Sequence, residues 1–412
     1  MIYSFSFTTD DEGGCMRFAG GLATLLVVGL ACCGSGAADP PPGQALRDHV
    51  PKPGEFPPAG AGIQMAGDLV VIDPMNRRVS LRFDGGHQSI GRLPVVLLPY
   101  GICRYHGAPA ELRDIPPGTH VHVRLLLPPE AERGLVPQTD ALRHTHVLEL
   151  EDDFSFYAGR GRAWKVVAVE PGAGLSQHRL ELVLDPEGPA VEGGINQRVR
   201  FLFDPETRIW KERRLVGREA IEPGQIVQVN LTWSTPWQGQ EYGVTDIWLD
   251  DESRGAFTEI QRQRHLRHQR SRWLPGWVDA VENYDRGGGT VTLTFFGGMD
   301  PLLYQELEDY KDAYQRPDKG LRLCDAENTL RAWTQYSDYG PAGRVISWKK
   351  ADHPPPGSSG IQVTMEFDHM LDGFRPGRVV RMKGPWPYVH LPRDEWLNTA
   401  EDLERASKVT LP

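Results

Sequence analysis

Three stretches of the chain repeat one order of apolar and polar positions. They are Ile115-Pro116-Pro117-Gly118-Thr119-His120-Val121-His122-Val123, Ile221-Glu222-Pro223-Gly224-Gln225-Ile226-Val227-Gln228-Val229 and Phe374-Arg375-Pro376-Gly377-Arg378-Val379-Val380-Arg381-Met382. Each reads as an apolar residue, a Pro-Gly turn and a strand of period two. Pro presets φ at the turn, and Gly supplies the positive φ of a type II turn. The residues three and five places after each Gly are predicted to face a core. Upstream of each stretch, Val71-Ile72-Asp73-Pro74, Ala168-Val169-Glu170-Pro171 and Ala280-Val281-Glu282-Asn283 end a first strand in an acid and a turn. Second strands follow at Val79 to Phe83, Leu180 to Leu184 and Val291 to Phe295. Closing strands follow the first two stretches, at His146 to Leu150 and Thr245 to Leu249, each running into acids (Glu151-Asp152-Asp153; Asp250-Asp251-Glu252).

About five short strands per unit must close on themselves or leave exposed edges. The predicted fold is mainly β: three tandem small five-stranded antiparallel barrels, OB-like or SH3-like, with a helical insertion and a connecting helix. The insertion is Leu302 to Tyr314, with Leu303, Leu307, Tyr310 and Tyr314 on one face. The expected organisation is a signal sequence over 1–33, a tether over 34–62 and barrels over 63–158, 159–252 and 273–393. A basic connecting helix is expected over 253–272, and a C-terminal helix and tail over 394–412.

Phe18 to Ala31 is an apolar run of about fourteen residues, too short to span a bilayer and the length of a signal-peptide core. Met16-Arg17 precedes it, whereas Asp10, Asp11 and Glu12 lie upstream, so Met16 is read as the true start. The run ends in Leu30-Ala31-Cys32-Cys33-Gly34-Ser35-Gly36, which resembles a bacterial lipobox with Cys32 or Cys33 as the lipidated residue. The alternative is ordinary cleavage near Gly36-Ala37-Ala38. Asp39 to Gly62 is rich in Pro and Gly without apolar period, and is expected to stay extended as a tether.

Taken together, the strand-to-turn grammar and the lipobox resemble secreted bacterial lipoproteins with tandem small β-barrel repeats of unknown function. The second repeat, Trp164 to Leu249, fits best, through Phe203-Asp204-Pro205-Glu206-Thr207-Arg208-Ile209-Trp210. The resemblance implies export and a barrel fold, and it brings no activity with it. The expected location is the bacterial cell envelope, periplasm or outer surface, on a lipid anchor in the membrane. An envelope polymer or protein is the expected partner.

Composition narrows the function classes. The 412 residues carry a formal net charge of −10, which argues against a nucleic-acid partner. The scan for catalytic motifs finds no nucleophile elbow, no H-E-x-x-H, no phosphate loop and no Cys-x-x-Cys, so no catalytic residue is assigned and no cofactor is expected. The leading expectation is a non-catalytic envelope protein with a binding or structural role. The alternative is an envelope polysaccharide-active hydrolase whose catalytic carboxylates are scattered.

Three constellations bear residues capable of chemistry. His120 and His122 share one strand, and His144 and His146 its neighbour, which suits zinc or copper. Because Val121, Val123 and Leu125 face inward, His120 and His122 are predicted to point out into solvent, while His146 points in with Leu148 and Leu150. No metal site is therefore assigned. Arg262, Arg264, Arg267, Arg270 and Arg272 form a basic segment that could meet an anionic partner. The expected reading is instead a solvated connector, too poor in apolar residues to dock firmly. Past the N-terminal region only Cys103 and Cys324 remain of the five cysteines. Counting from the Pro-Gly turns puts Cys103 in the place of Ile209 and Cys324 in that of Phe203, as free thiols in two cores.

Overall fold

The computed structural model describes residues 42–74, 76–84, 93–129, 143–171, 180–203, 205–233, 242–285, 287–312, 321–325, 340–384, 386 and 389. Cys32 and Cys33, the proposed start at Met16 and the expected C-terminal helix lie outside these residues.

A short helix α1 (Pro42–Arg47) precedes the first barrel, built from β1 (Ile63–Asp73), β2 (Arg78–Phe83), β3 (Leu93–Tyr105), a stub β4 (Ala108–Pro109), β5 (His120–Leu126) and β6 (His146–Asp152). Helix α2 (Asp153–Ala158) leads to the second barrel. Its strands are β7 (Ala163–Pro171), β8 (Leu180–Glu187), β9 (Val199–Phe203), β10 (Arg208–Lys211), β11 (Arg214–Val216), β12 (Ile226–Trp233) and β13 (Tyr242–Trp248). Helix α3 (Asp251–Arg272) leads to the third barrel. That barrel comprises β14 (Leu274–Asn283), β15 (Gly289–Phe296), helix α4 (Pro301–Tyr310), β16 (Leu321–Asp325), β17 (Ala342–Lys350), β18 (Ser358–Phe367) and β19 (Val379–Lys383).

The expected three barrels with a connecting helix and a helical insertion are present. In the first, β1 pairs with β2 and β5, β2 with β3, and β6 closes the ring between β5 and β3. The second repeats this order with β7, β8, β9, β13 and β12. In both, the third and closing strands run parallel, at β3–β6 and β9–β13, which selects the OB-like arrangement over the SH3-like one. The third barrel has six strands, in the order β14-β15-β18-β17-β16-β19.

The repeat is held by one backbone lock used three times. The N–H groups of Gly118, Gly224 and Gly377 donate to the carbonyls of Leu69, Val166 and Val278, at 2.6, 2.8 and 2.8 Å. Leu69, Val166 and Val278 donate in return to Thr119, Gln225 and Arg378, at 2.9, 2.8 and 3.0 Å. Each first strand has its β-bulge at this point, between Leu69 and Val71, Val166 and Ala168, and Val278 and Ala280. The three glycines have φ of 90, 90 and 76°, a left-handed conformation that a Cβ would strain. As predicted, the residues three and five places on are fully buried: Val121 and Val123, Val227 and Val229, Val380 and Met382.

Each barrel interior is filled by its own apolar cluster. A fourth cluster, with Leu98, Tyr100, Leu148, Trp277 and Phe296, lies between the first and third barrels. Phe56 joins it, its ring 5.4 Å from Tyr100 and 6.2 Å from Phe296.

This corrects the tether. Of its expected residues, several between 42 and 62 are held against the barrels: Ala61 is buried, and the Leu127 and Gly62 N–H groups donate to the His49 and Leu46 carbonyls. Pro and Gly suppress regular structure without preventing a segment from lying along an apolar seam. The boundary at 158 also moves, because Phe156 and Tyr157 of α2 belong to the core of the second barrel. Leu148 lies in the inter-barrel cluster, not inside the first barrel as its predicted facing required.

Cys103 and Cys324 are buried and outside any disulfide, as expected. Cys103 pairs with Leu150 as Ile209 pairs with Ile247, so those two positions are equivalent. Cys324 pairs with Arg381 on β19, whereas Phe203 pairs with Leu180 on β8, so that equivalence fails.

Candidate functional site

The first two closing strands both hand the chain to the next element by the same device. Asp152 ends β6 and caps α2, its Oδ1 accepting from the Ser155 N–H at 2.9 Å. Asp250 follows β13 and caps α3, its Oδ1 accepting from the Ser253 N–H at 2.6 Å. The other oxygen of each Asp accepts from a two-residue hairpin turn, Asp152 from the His106 N–H at 3.1 Å and Asp250 from the Glu212 N–H at 2.7 Å. The Ser hydroxyls complete the clamp, accepting from the Gly107 and Arg213 N–H groups at 2.8 and 3.0 Å. An Asp is suited to this because its two oxygens can satisfy a helix end and a neighbouring turn at once.

At the first handover the clamp is buried and charged. Asp153, the residue after the cap, is fully buried and receives His120 Nδ1 at 2.8 Å and His122 Nε2 at 3.1 Å on Oδ1. Its Oδ2 accepts from the Leu231 N–H of β12 at 3.0 Å. Asn230 of β12 ties down the start of α2, donating to Asp152 at 2.8 Å and accepting from the Phe154 N–H at 2.9 Å. His120 Nε2 reaches Asp84 at 3.2 Å, and Asp84 is the edge of the site, with 37% of its side chain exposed. Asp68, opposite His120 on β1, is 3% exposed and paired with Arg82 at 2.6 Å. His122 stacks on Phe156 with ring centroids 3.6 Å apart.

These surroundings drive neighbouring groups apart. Burial pushes the Asp152 carboxyl up to about 6 despite its hydrogen bonds. Burial also opposes charge on Asp153, but His120 and His122 outweigh it and hold that carboxyl well below the usual range. For His120, burial is outweighed by Asp153 and Asp84, which raise it well above 6.5. His122, for which burial prevails, is lowered.

Thus His120 and His122 do point away from the first barrel's core, but not into water. They are 3% exposed each, because the second barrel and α2 cover that face. His146 is also buried but lies apart from this cluster; His144 Nε2 donates to the Arg47 carbonyl at 2.9 Å. Asp84, Asp153 and Asn230 were not singled out. The run Asp152-Asp153-Phe154-Ser155 and its echo Asp250-Asp251-Glu252-Ser253 were the available signal, an N-cap pattern recurring after both closing strands.

The basic segment forms a helix of the expected extent but not the expected solvated connector. Arg262 pairs with Asp300 at 2.6 Å, Arg264 with Asp114 at 3.0 Å and Arg270 with Glu306 at 2.6 Å. Arg267 and Arg272 are half-buried and also engaged. Gln261 donates to Asp114 at 3.1 Å and Thr258 to the His106 carbonyl at 2.7 Å, while Leu266 enters the third barrel's core. The helix docks through side-chain polar groups, which an apolar count does not register. Arg262, Arg264 and Arg270 thus serve internal carboxylates rather than an open basic face.

A cleft of about 680 Å³ opens beside the first clamp, with Arg104, Glu149, Glu151, Phe154 and Arg160 in its lining. Glu151 pairs with Arg160 at 2.8 Å and Arg104 at 3.6 Å, and Glu149 with Arg124 at 3.2 Å. Both acids are thus occupied by guanidinium partners.

No protein-family model matches the chain, and no curated protein or solved structure matches it significantly.

Proposed function

We propose that this is an exported, lipid-anchored protein of a bacterial cell envelope, with a non-catalytic role as a scaffold of barrels held in fixed mutual orientation. The observation that carries the reading is the Asp-capped clamp repeated at both handovers, together with the buried ion pairs around Asp153. Buried charges are costly to desolvate and are a poor way to gain stability alone, but they specify one geometry. The filled barrel interiors agree with a role carried by outer surfaces. On this reading the envelope partner, a polymer or a protein, meets the outside of the assembled barrels.

A lipid on Cys33 would leave eight residues, 34–41, before α1. Polysaccharide hydrolysis is the second reading and rests on Glu149 and Glu151 in the cleft. Their pairing with arginines favours the scaffold.

Mass spectrometry of the N-terminal peptide, from protein collected in both membrane and soluble fractions, tests the anchor. The expected result is a mature chain beginning at a diacylglycerol-modified Cys32 or Cys33. An unmodified peptide starting near Ala38, in a soluble fraction, would reject the anchor.

A further inference from the structure

We propose that the junction between the first two barrels is a binding site for one divalent, imidazole-preferring metal ion of the Zn²⁺ class, with His120 Nδ1, His122 Nε2 and Asp153 Oδ1 as its ligands. The three donor atoms lie within 4.8 Å of one another, and all three residues are buried. The separations of 2.8 and 3.1 Å from Asp153 Oδ1 to the two nitrogens approach those between neighbouring ligands of a tetrahedral ion. For metal–ligand bonds of about 2.0–2.1 Å, that spacing is roughly 3.3 Å. The two nitrogens, at most 4.8 Å apart, would draw together around the ion.

The outer atoms of two ligands are already held as metal sites require. His120 offers its far nitrogen to Asp84 at 3.2 Å, the carboxylate–imidazole arrangement that orients a ligating histidine. Asp153 has its far oxygen fixed by the Leu231 N–H at 3.0 Å. Charge supplies an independent argument. Asp68, Asp84 and Asp153 place three carboxylates around the site against one guanidinium, Arg82. Once the ion has displaced the imidazole hydrogens, both rings are neutral and two negative charges remain, which the divalent cation cancels. Among the described residues, Asp68 Oδ1 and His122 Nδ1 are buried without a hydrogen-bond partner.

Binding uses the nitrogen lone pairs that face Asp153, so hydrogens now directed at that carboxylate leave or move to the opposite ring nitrogen. Three protein ligands leave a fourth position for water. Because His120 and His122 lie on β5 and Asp153 begins α2, the ion would pin one barrel to the next.

The test uses chelator-stripped, full-length protein titrated with ZnCl₂ by calorimetry and with CoCl₂ by visible absorption. The expected results are one ion per chain, a higher thermal midpoint with Zn²⁺ and the visible d–d bands of tetrahedral Co²⁺. Asp84→Asn, at the exposed edge of the site, should still fold and bind about 10- to 100-fold more weakly. A His120→Gln, His122→Gln double variant should lose binding. If the wild type gives no Co²⁺ band and no Zn²⁺ stabilisation, or if the double variant binds as the wild type does, the proposal is overturned.

Discussion

Asp153→Ala, measured with chelator present, is expected to lower the unfolding free energy by about 3–5 kcal/mol, the cost of breaking a buried ion pair from one side. The change removes the acceptor for His120 Nδ1, for His122 Nε2 and for the Leu231 N–H together. It also leaves His120, which Asp153 and Asp84 hold protonated despite burial, with only Asp84 at the edge of the site. Urea unfolding of the variant and wild type measures the loss as a fall in midpoint. A change below about 1 kcal/mol, the ordinary effect of an exposed pair, would show that the junction is wet and loosely held.

The second large effect concerns acid and lies in α3. His265 and His268 are buried, and burial lowers both: His265 to about 4, and His268 well below 6.5 with Arg113 and Arg272 adding repulsion. Their folded values lie below the unfolded one, so the unfolded chain binds more protons as pH falls from 6.5 towards 4. Stability contributed by the neutral imidazoles is full above 6.5 and is lost through that window. For His265 alone the loss is on the order of 2–3 kcal/mol at 1.36 kcal/mol per unit. Asp152, raised to about 6, acts in the opposite sense between about 6 and 3.8 and offsets part of this. Urea midpoints at about pH 7 and about pH 4.5 should therefore differ strongly in the wild type. The difference should shrink in a His265→Gln, His268→Gln variant. Equal acid losses in both proteins would place the acid sensitivity elsewhere.

How far the fold could be read from the chain depended on whether the deciding contacts were local. Gly118, Gly224 and Gly377 were legible because a Pro-Gly turn followed by alternation has few structural meanings, and the valines after them had one apolar face. Cys103 could be aligned with Ile209 because both precede the Pro-Gly turn within an intact repeat. The same counting failed for Cys324, because the third barrel fills its closing position with β16, a strand that precedes the turn. Alternation also told correctly that His120 and His122 leave the first core. It could not tell that α2 and another barrel cover that face, since this depends on Asp153, 33 and 31 positions away, and on Asn230 and Leu231 beyond it. Helix α3 shows the same limit: its docking rests on Gln261, Arg262, Arg264 and Arg270, which a period of apolar residues treats as solvent-facing. Phe56 was the lone aromatic in a Pro-Gly stretch, and its anchoring role needed Tyr100 and Phe296 beside it to be seen.

That the clamps and buried pairs hold the barrels in one arrangement is tested most directly by small-angle X-ray scattering from protein lacking residues 1–33. Buried pairs are screened little by salt, whereas exposed ones are screened strongly. The expected result is a distance distribution that fits the barrels in a single fixed arrangement, unchanged between low and high salt. A profile that fits only an ensemble of independently oriented barrels, or one that broadens as salt is raised, would contradict it.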